Sequence, residues 1–598
     1  MKQISKPGSF LFKKIRVEGD NKNSSRFVTL AAVILPIIIL AVYVILYHVD
    51  FFVWDELALV PLFEKLSTNS VTINDWLKSH NDHQILFPKL IMVGLLSLFD
   101  FQILPVLLTT ILIASVGYLL IWKVLIREGN QTVLTIISVI LSSFLFFSLL
   151  QWENFLRFWQ IQLIMCIVFY ICSTYFLFVK KSSTSNTILA LIFAMISTFS
   201  FGNGIIGLFS NGFLLFFATS EKDEKKKKVV TYFLGIVIIS ILFFSTFSGG
   251  GGNQSLLQTV LSNIIKVPLF FLFFIGQVIV YPFYANKILA AFSLGAGVVG
   301  VAIFLFNSVK LFVNRRTIGN GHIFLFALSL WVVLSASVIS LGRVGYGLET
   351  SVSSRYASFS ALFWVSNLSL FLLLLNTDRY SDGYGKRFFS FIDDQRQKLR
   401  VFVILFMLVG VINSFSANWR FDHYERTTLP ALSEYYELSG NRELLSAIYP
   451  DSAEFSKYPK IMAKIGITPF NFYKSFPYQK LERIDSDVEA PSGKIGNETS
   501  LRSEFDFDFK TRYYNLIQGK ILSQSGVENT DVMVEFKNEE ITRYFKSSER
   551  NSKKDTDPGF FALISYQDLP KGEYSRRILV QENGEWRYLG EATILKIK

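Results

Sequence analysis

The sequence predicts a polytopic α-helical membrane protein whose chemically capable residues gather on one face of the bilayer. Three observations predict it. Of the 598 residues, 51% are apolar or aromatic. These residues come in blocks of roughly 15–23, long enough or nearly long enough to cross a ~30 Å hydrocarbon core as a helix. The basic clusters fall at the ends of those blocks, in positions that a single threading through the bilayer puts on one side. A soluble core would break such blocks with polar residues every second or third position.

The first block, Phe27 to Val49, is too long for the apolar part of a cleavable signal, and no small-residue cleavage site follows it. It reads as the first membrane helix. Lys13, Lys14, Arg16, Lys22 and Arg26 precede it, which places residues 1–26 in the cytoplasm as a basic N-terminus. Lys123 and Arg127, Lys180 and Lys181, Lys225 to Lys228, Lys310 with Arg315 and Arg316, and Lys386 to Arg400 then also fall inside. The formal charge of +12 is therefore a topology signal, and nucleic acid is not an expected partner. Cys166 and Cys172 share one apolar block six residues apart, facing different ways on a helix, so no disulfide is expected between them.

This threading has about eleven spans. They are Phe27–Val49, Ile103–Trp122, Thr132–Leu150, Leu163–Val179, Thr187–Phe201, Gly204–Phe217, Val229–Phe247, Ile288–Phe306, Ile323–Leu341, Phe359–Leu375 and Val401–Phe415. Ile85–Phe99 and Val267–Val280 are left as short helices in or dipping into the outer leaflet, because either one crossing alone would throw later basic loops outside. The membrane domain thus covers 27–417, with a long first outer loop at 50–85. An odd span count leaves the tail outside. Its part at 418–490 reads as short helices, and 491–598 as alternating strands: Tyr513–Leu522, Asp531–Phe536, Phe560–Tyr566, Tyr574–Val580 and Trp586–Lys598. Asn583-Gly584 between two such runs is a hairpin signal. An extracytoplasmic α+β region ending in a small β-sandwich is the expectation.

With the threading set by basic residues, the other polar motifs all emerge outside. The first outer loop carries Trp54-Asp55-Glu56 and then His80-Asn81-Asp82-His83-Gln84. The next carries Gln151, Glu153, Asn154, Arg157 and Gln160. Phe201-Gly202-Asn203-Gly204 joins two apolar blocks, and a late loop runs from Gly342-Arg343 through Glu349 to Ser354-Arg355-Tyr356. Outer loops can be polar simply because they are wet. Asp55, Glu56 and Arg355, however, stand at a hydrocarbon boundary, where charge is costly and usually has a partner or a task.

Each motif carries its own chemistry and its own bland alternative. Asp55 and Glu56 diverge by ~100° on a helix, so only one is expected to face a given cleft. That carboxylate could take a proton from a hydroxyl, hold a divalent cation, or simply pair with an arginine. A divalent cation, Mg or Mn, is the one cofactor the pattern admits. His80, Asp82 and His83 have the look of a metal cluster, but His-x-x-His without a third nearby ligand favours hydrogen bonding to a sugar or phosphate. Arg343, Arg355 and Tyr356 suit phosphate, or a salt bridge to Asp55, Glu56 or Glu153. Trp54, Trp76, Trp152 and Trp159 suit interfacial anchoring or stacking on a sugar. Gly249 to Gly252 lack the lysine and helix of a phosphate loop and read as a flexible loop.

Together these motifs resemble the GT-C superfamily of polytopic glycosyltransferases, over about Phe27 to Leu375. The likeness rests on Trp54-Asp55-Glu56 directly after the first helix, the His80–Gln84 cluster, the Asn154/Gln160 loop, Phe201-Gly202-Asn203-Gly204, and Ser354-Arg355-Tyr356 before a late helix. Relatives of the bacterial surface-glycan type tend to read Glu-His-Arg where this chain has Asp82-His83-Gln84, which shifts phosphate binding toward Arg343 and Arg355. The resemblance implies an inverting transferase in the plasma or inner membrane. Its donor would be a polyprenyl-phosphate sugar lodged among membrane lipids, and its acceptor a surface glycan or glycolipid. Asp55 or Glu56 would be catalytic, with His80, Asp82, His83, Asn154, Gln160, Asn203, Arg343, Arg355 and Tyr356 binding substrate. A flippase for lipid-linked saccharides is the alternative. It predicts charges or broken helices near the bilayer midplane and an internal repeat, whereas the charges here lie at the outer ends.

Overall fold

The computed structural model describes residues 21–48, 50, 52–80, 83–129, 133–216, 222–246, 261–281, 286–313, 318–375, 395–416 and 458–467, and strands between 495 and 597. The chain divides into two compact units, Met1–Asp422 and His423–Lys598.

The first unit is a bundle of helices. In chain order they are α1 (Asn21–Tyr47), α2 (Val60–Ser67), α3 (Ile73–Leu77), α4 (Leu86–Leu98), α5 (Leu104–Glu128), α6 (Val133–Phe146), α7 (Trp152–Leu156) and α8 (Ile161–Thr174). Then follow α9 (Thr184–Thr198), α10 (Asn203–Leu214), α11 (Lys222–Thr246), α12 (Lys266–Gly276), α13 (Lys287–Val313), α14 (Asn320–Arg343), α15 (Ala357–Leu374) and α16 (Arg396–Ser416). Among the described residues, nine helices are long and apolar enough to cross a membrane, which makes this a multi-pass membrane protein.

The expected spans Thr187–Phe201 and Gly204–Phe217 differ from the rest. They form α9 and α10, of 15 and 12 residues, joined by a short turn at Phe199–Gly202. At ~1.5 Å per residue neither reaches ~30 Å, so the pair is a short helical hairpin. Since both go together, the sense of the later helices is unchanged. Ile85–Phe99 and Val267–Val280 appear as the short helices α4 and α12, of 13 and 11 residues.

Helix α15 is the axis of the bundle: every one of its residues is buried. Around it pack α14, α13, α12 and α6. The outer helices α1, α11, α13 and α16 leave broad apolar faces exposed, as lipid-facing helices do. Several polar groups inside find partners within the bundle. Asn307 donates to Asn367 Oδ1 at 2.8 Å, and Asn367 donates to the Gly300 carbonyl at 3.0 Å. Serine and threonine hydroxyls return to the carbonyl four residues back, as Thr110 does to Val106 and Ser366 to Leu362. At the lysine-rich end, buried Lys310 donates to Leu374 O at 2.6 Å and so caps α15, while Lys228 caps the turn that ends α8 at Leu177.

Among the described residues, the second unit shows α17 (Tyr458–Ile465) and nine strands: β1 (Ile495–Gly496), β2 (Arg502–Lys510), β3 (Tyr514–Leu522), β4 (Val532–Lys537), β5 (Thr542–Lys546), β6 (Ser548–Arg550), β7 (Gly559–Ser565), β8 (Gly572–Glu582) and β9 (Glu585–Ile597). They form a five-stranded sheet, β1-β9-β8-β4-β5, and a four-stranded sheet, β2-β3-β7-β6. All pairings are antiparallel except β1 with β9. Strands β8 and β9 pair up to Glu582 opposite Glu585, as a hairpin at the expected position requires. The expected helices elsewhere in 418–490 lie outside the described residues.

Close helix approach makes two glycines critical. A Cβ on Gly297 of α13 would strike the Leu272 backbone of α12, and one on Gly276 would strike the Ser293 carbonyl. Gly295, on the same helix, faces open space. Gly297→Ala is therefore expected to cost about 1–3 kcal/mol, while Gly295→Ala gains about 0.5–1 kcal/mol. Thermal melting in detergent checks this, and equal effects at the two positions would contradict the packing.

Candidate functional site

The site grows from a strained turn after α1. Phe52 and Val53 are buried, and the chain then enters a 3₁₀ turn, Trp54–Leu59, with Trp54 at φ 52°, a left-handed value unusual for a bulky residue. Glu56 folds back so that its Oε2 accepts the Val53 N–H at 2.9 Å, and it is only 3% exposed. It caps its own turn. Asp55, its neighbour, faces the other way with a side chain 40% exposed, and its Oδ1 lies 3.1 Å from His80 Nε2. The two adjacent carboxylates are thus split between holding the turn and pairing, partly exposed, with His80.

His80 and His83 sit at the base of a tight turn, each donating its backbone N–H to the other's carbonyl at 2.9 Å. Asn81 and the expected site residue Asp82 lie outside the described residues. The His80 ring packs edge-on against buried Trp159 with centroids 4.8 Å apart. The His83 ring lies 3.9 Å from that of Phe201, and its Nδ1 accepts the Gly202 N–H at 3.4 Å. Gln84 is buried and donates to the Thr246 carbonyl at the end of α11. One short turn therefore joins the first loop to the Trp159 loop, the α9–α10 hairpin and α11.

The second half of the site comes from two segments 200 residues apart. Glu153 Oε1 lies 3.3 Å from Arg355 Nε, and Ser353 Oγ is 3.2 Å from the same nitrogen. Around this pair, Ser354 Oγ donates to Leu150 O at 2.8 Å and accepts Glu153 N–H at 3.1 Å. Asn154, fully buried, donates to Arg355 O at 3.0 Å and Ser358 Oγ at 2.7 Å, and Ser358 in turn donates to Gln151. This seam fixes the start of α15 against α7. Arg355 keeps a side chain 43% exposed. Gly347, at φ 100°, supplies the left-handed residue that lets the chain turn between the two 3₁₀ segments leading to Ser353.

The remaining expected residues take different places. Arg343 ends α14, with its guanidinium 5.6 Å from the Tyr346 ring centroid and within electrostatic reach of Tyr356. Tyr356 is buried against Phe274, ring centroids 5.3 Å apart. Asn203 begins α10, its carbonyl accepting Trp331 Nε1–H at 2.9 Å while its own Nδ2 is buried without a partner. Gln160 is buried at the foot of α8.

Electrostatics tie the halves together. Burial pushes the Asp55 carboxyl up, but the hydrogen bond and charge of His80, helped by Arg355 and His83, outweigh it, leaving its pKa below the ordinary value. Arg355 is thus close enough to act on Asp55, across a separation of 300 positions in the chain. Among the described residues, no three metal-capable side chains converge.

Sequence reasoning missed several of the supports. Lys89 of α4 is buried and donates to the carbonyls of Asp75, Trp76 and Lys78 at 3.3, 3.0 and 2.8 Å, tying the C-terminal end of α3 to α4. Burial, and then the charge of Lys78, push its amine down to about 8 against the opposing pull of Asp75. A lysine inside the apolar run Leu86–Phe99 was the available signal. The Ser353, Ser354 and Ser358 hydroxyls carried none, because serine is common in these helices.

No protein-family model matches the chain, and no curated protein is significantly similar to it in sequence.

The lowered carboxyl of Asp55 sets a direction for stability. A group whose folded pKa lies below its unfolded value stabilises above the ordinary carboxylate range, ~4, and loses that contribution as pH falls through the folded value. Asp55 is exposed enough for solvent screening to hold the effect under about 1 kcal/mol. Melting of wild type and Asp55→Asn between pH 7 and pH 3 is expected to show a wild-type advantage that shrinks at the acid end. An advantage that does not change with pH would contradict the pairing.

Relief of the turn is expected to act oppositely. Trp54→Gly removes the left-handed strain and should raise thermal stability by about 1 kcal/mol or more. A clear loss would show that the indole is held by packing.

Proposed function

We propose that this protein transfers a sugar from a polyprenyl-phosphate donor to a hydroxyl on a cell-surface glycan or glycolipid, with inversion at the anomeric carbon. One observation carries the reading: an exposed carboxylate and an exposed guanidinium stand within electrostatic reach of each other at one end of a membrane helix bundle. Glycosyl transfer from a lipid phosphate asks for that pair. A base must accept the proton of the attacking hydroxyl, and a cation must meet the charge that grows on the departing phosphate.

The parts divide as follows. The Asp55 side of the cleft receives the acceptor hydroxyl. A bond forms from that oxygen to the anomeric carbon as the carbon–phosphate oxygen bond breaks, in one displacement. Glu153 and Ser353 hold Arg355 by its Nε, which leaves the terminal amino groups of the fork to the leaving phosphate. Arg343 supplies a second positive charge nearby. Asn154 and the serines keep the Arg355 backbone in place. The isoprenoid remains among the lipids, so its head group meets the protein only at the bundle's end. By the positive-inside rule, the lysine-rich opposite end faces the cytoplasm and the site lies extracytoplasmic in the cell membrane. The two sheets of the tail are read as a small sandwich on that same side.

The test uses purified protein in lipid with a panel of radiolabelled polyprenyl-phosphate sugars and acceptor extract, with and without chelator to read any need for Mg or Mn. Asp55→Asn and Arg355→Ala are each expected to lower transfer at least ~100-fold while the protein stays folded, with only a small loss of melting temperature. Donor moved across the bilayer without transfer, or turnover indifferent to both substitutions, would contradict the reading.

A further inference from the structure

We propose that His80, held by Asp55, is the group that takes the acceptor's proton, so that the base is an Asp–His dyad and not a lone carboxylate. The inference rests on the glycosyl-transfer reading and adds the identity of the proton acceptor. It follows from how the two side chains are built into the fold. Asp55 does not stand alone, because its Oδ1 is engaged by His80 Nε2 at 3.1 Å. In that contact Nε2 carries the proton and the carboxylate accepts it. The tautomer is thereby fixed, and the lone pair falls on Nδ1. A carboxylate so engaged, with Arg355 also drawing on it, is a weakened base. The carboxylate orients the imidazole and faces the positive charge that forms on it.

The imidazole is also positioned rather than merely present. Its backbone is locked by the paired hydrogen bonds to His83, and its ring makes a T-shaped contact with buried Trp159. The side chain remains 23% exposed. Among the described residues, the charged and titratable groups acting on the Asp55 side of the dyad are Arg355, which pairs with Glu153, and His83 on the same turn. When Nδ1 takes the proton, the positive charge formed is met by Asp55 at the other nitrogen. The proton leaves the acceptor oxygen, that oxygen bonds to the anomeric carbon, and the electron pair of the broken bond departs on the phosphate. No other reactant is needed.

His80→Ala and His80→Gln, with Asp55→Asn alongside, are assayed for transfer in the presence of small imidazoles of graded basicity. His80→Ala should lose at least ~100-fold in kcat. Added imidazoles should restore part of the rate to it, more so as their basicity rises, and should restore nothing to Asp55→Asn. His80→Gln, which can still hydrogen-bond to Asp55, should remain inactive. If His80 only positions Asp55, His80→Gln keeps most of the activity and any rescue of His80→Ala does not follow basicity; either result overturns the dyad. If wild type transfers no sugar from any donor, the function itself fails, and the dyad with it. Melting of each variant separates loss of chemistry from loss of fold.

Discussion

The hydrocarbon slab is the constraint on which the rest of this structure depends. Inside it, an unsatisfied polar group costs several kcal/mol. The helices therefore close their own hydrogen bonds, and their serines and threonines bond back along the same helix. Most charged residues are driven to the ends, where lysines at one end cap helix termini. At the other end, carboxylates, histidines and an arginine meet in pairs. A chain that cannot place charge in its middle must build any polar chemistry at a rim, and the rim here is assembled from loops distant in sequence.

The supports of that rim explain why its charges can stay partly open. Glu56 is spent on capping the strained turn that presents Asp55. The His80–His83 turn is braced by Trp159, Phe201 and the end of α11. The start of α15, the most deeply buried helix, is stitched to α7 through Asn154, Ser354 and Ser358. Arg355 therefore projects from the firmest part of the bundle, and Asp55 from a turn held on several sides. Positioning of this kind is what a transfer reaction asks of its groups.

Much of this was legible in the sequence, for physical reasons that also explain the misses. Long apolar blocks announce α5, α8 and α14 because length against bilayer thickness is a one-dimensional property. The lengths of α9 and α10 were not legible, since only Gly202-Asn203 divides the two apolar runs and the helix ends depend on packing. Strand β2 was overlooked although Phe505, Phe507 and Phe509 alternate with Asp506 and Asp508, a period-2 strand pattern. The motif residues were visible as charges at a boundary, and the split between Asp55 and Glu56 followed from helical geometry. What pairs with what was not visible: Glu153 with Arg355, and His80 with Asp55, are choices made by tertiary packing. Lys89 and the serine seam belong to that same class.

The central claim is that Asp55 and Arg355, each held by its own partner, belong to a single electrostatic site. A double-mutant cycle on thermal stability at neutral pH, with Asp55→Asn, Arg355→Gln and the combination, tests it most directly. The account predicts a coupling energy of about 0.5 kcal/mol or more, diminishing at high salt. Additive effects within about 0.3 kcal/mol, at low salt as well as high, would mean that the two pairs are separate features of one rim and would contradict the account.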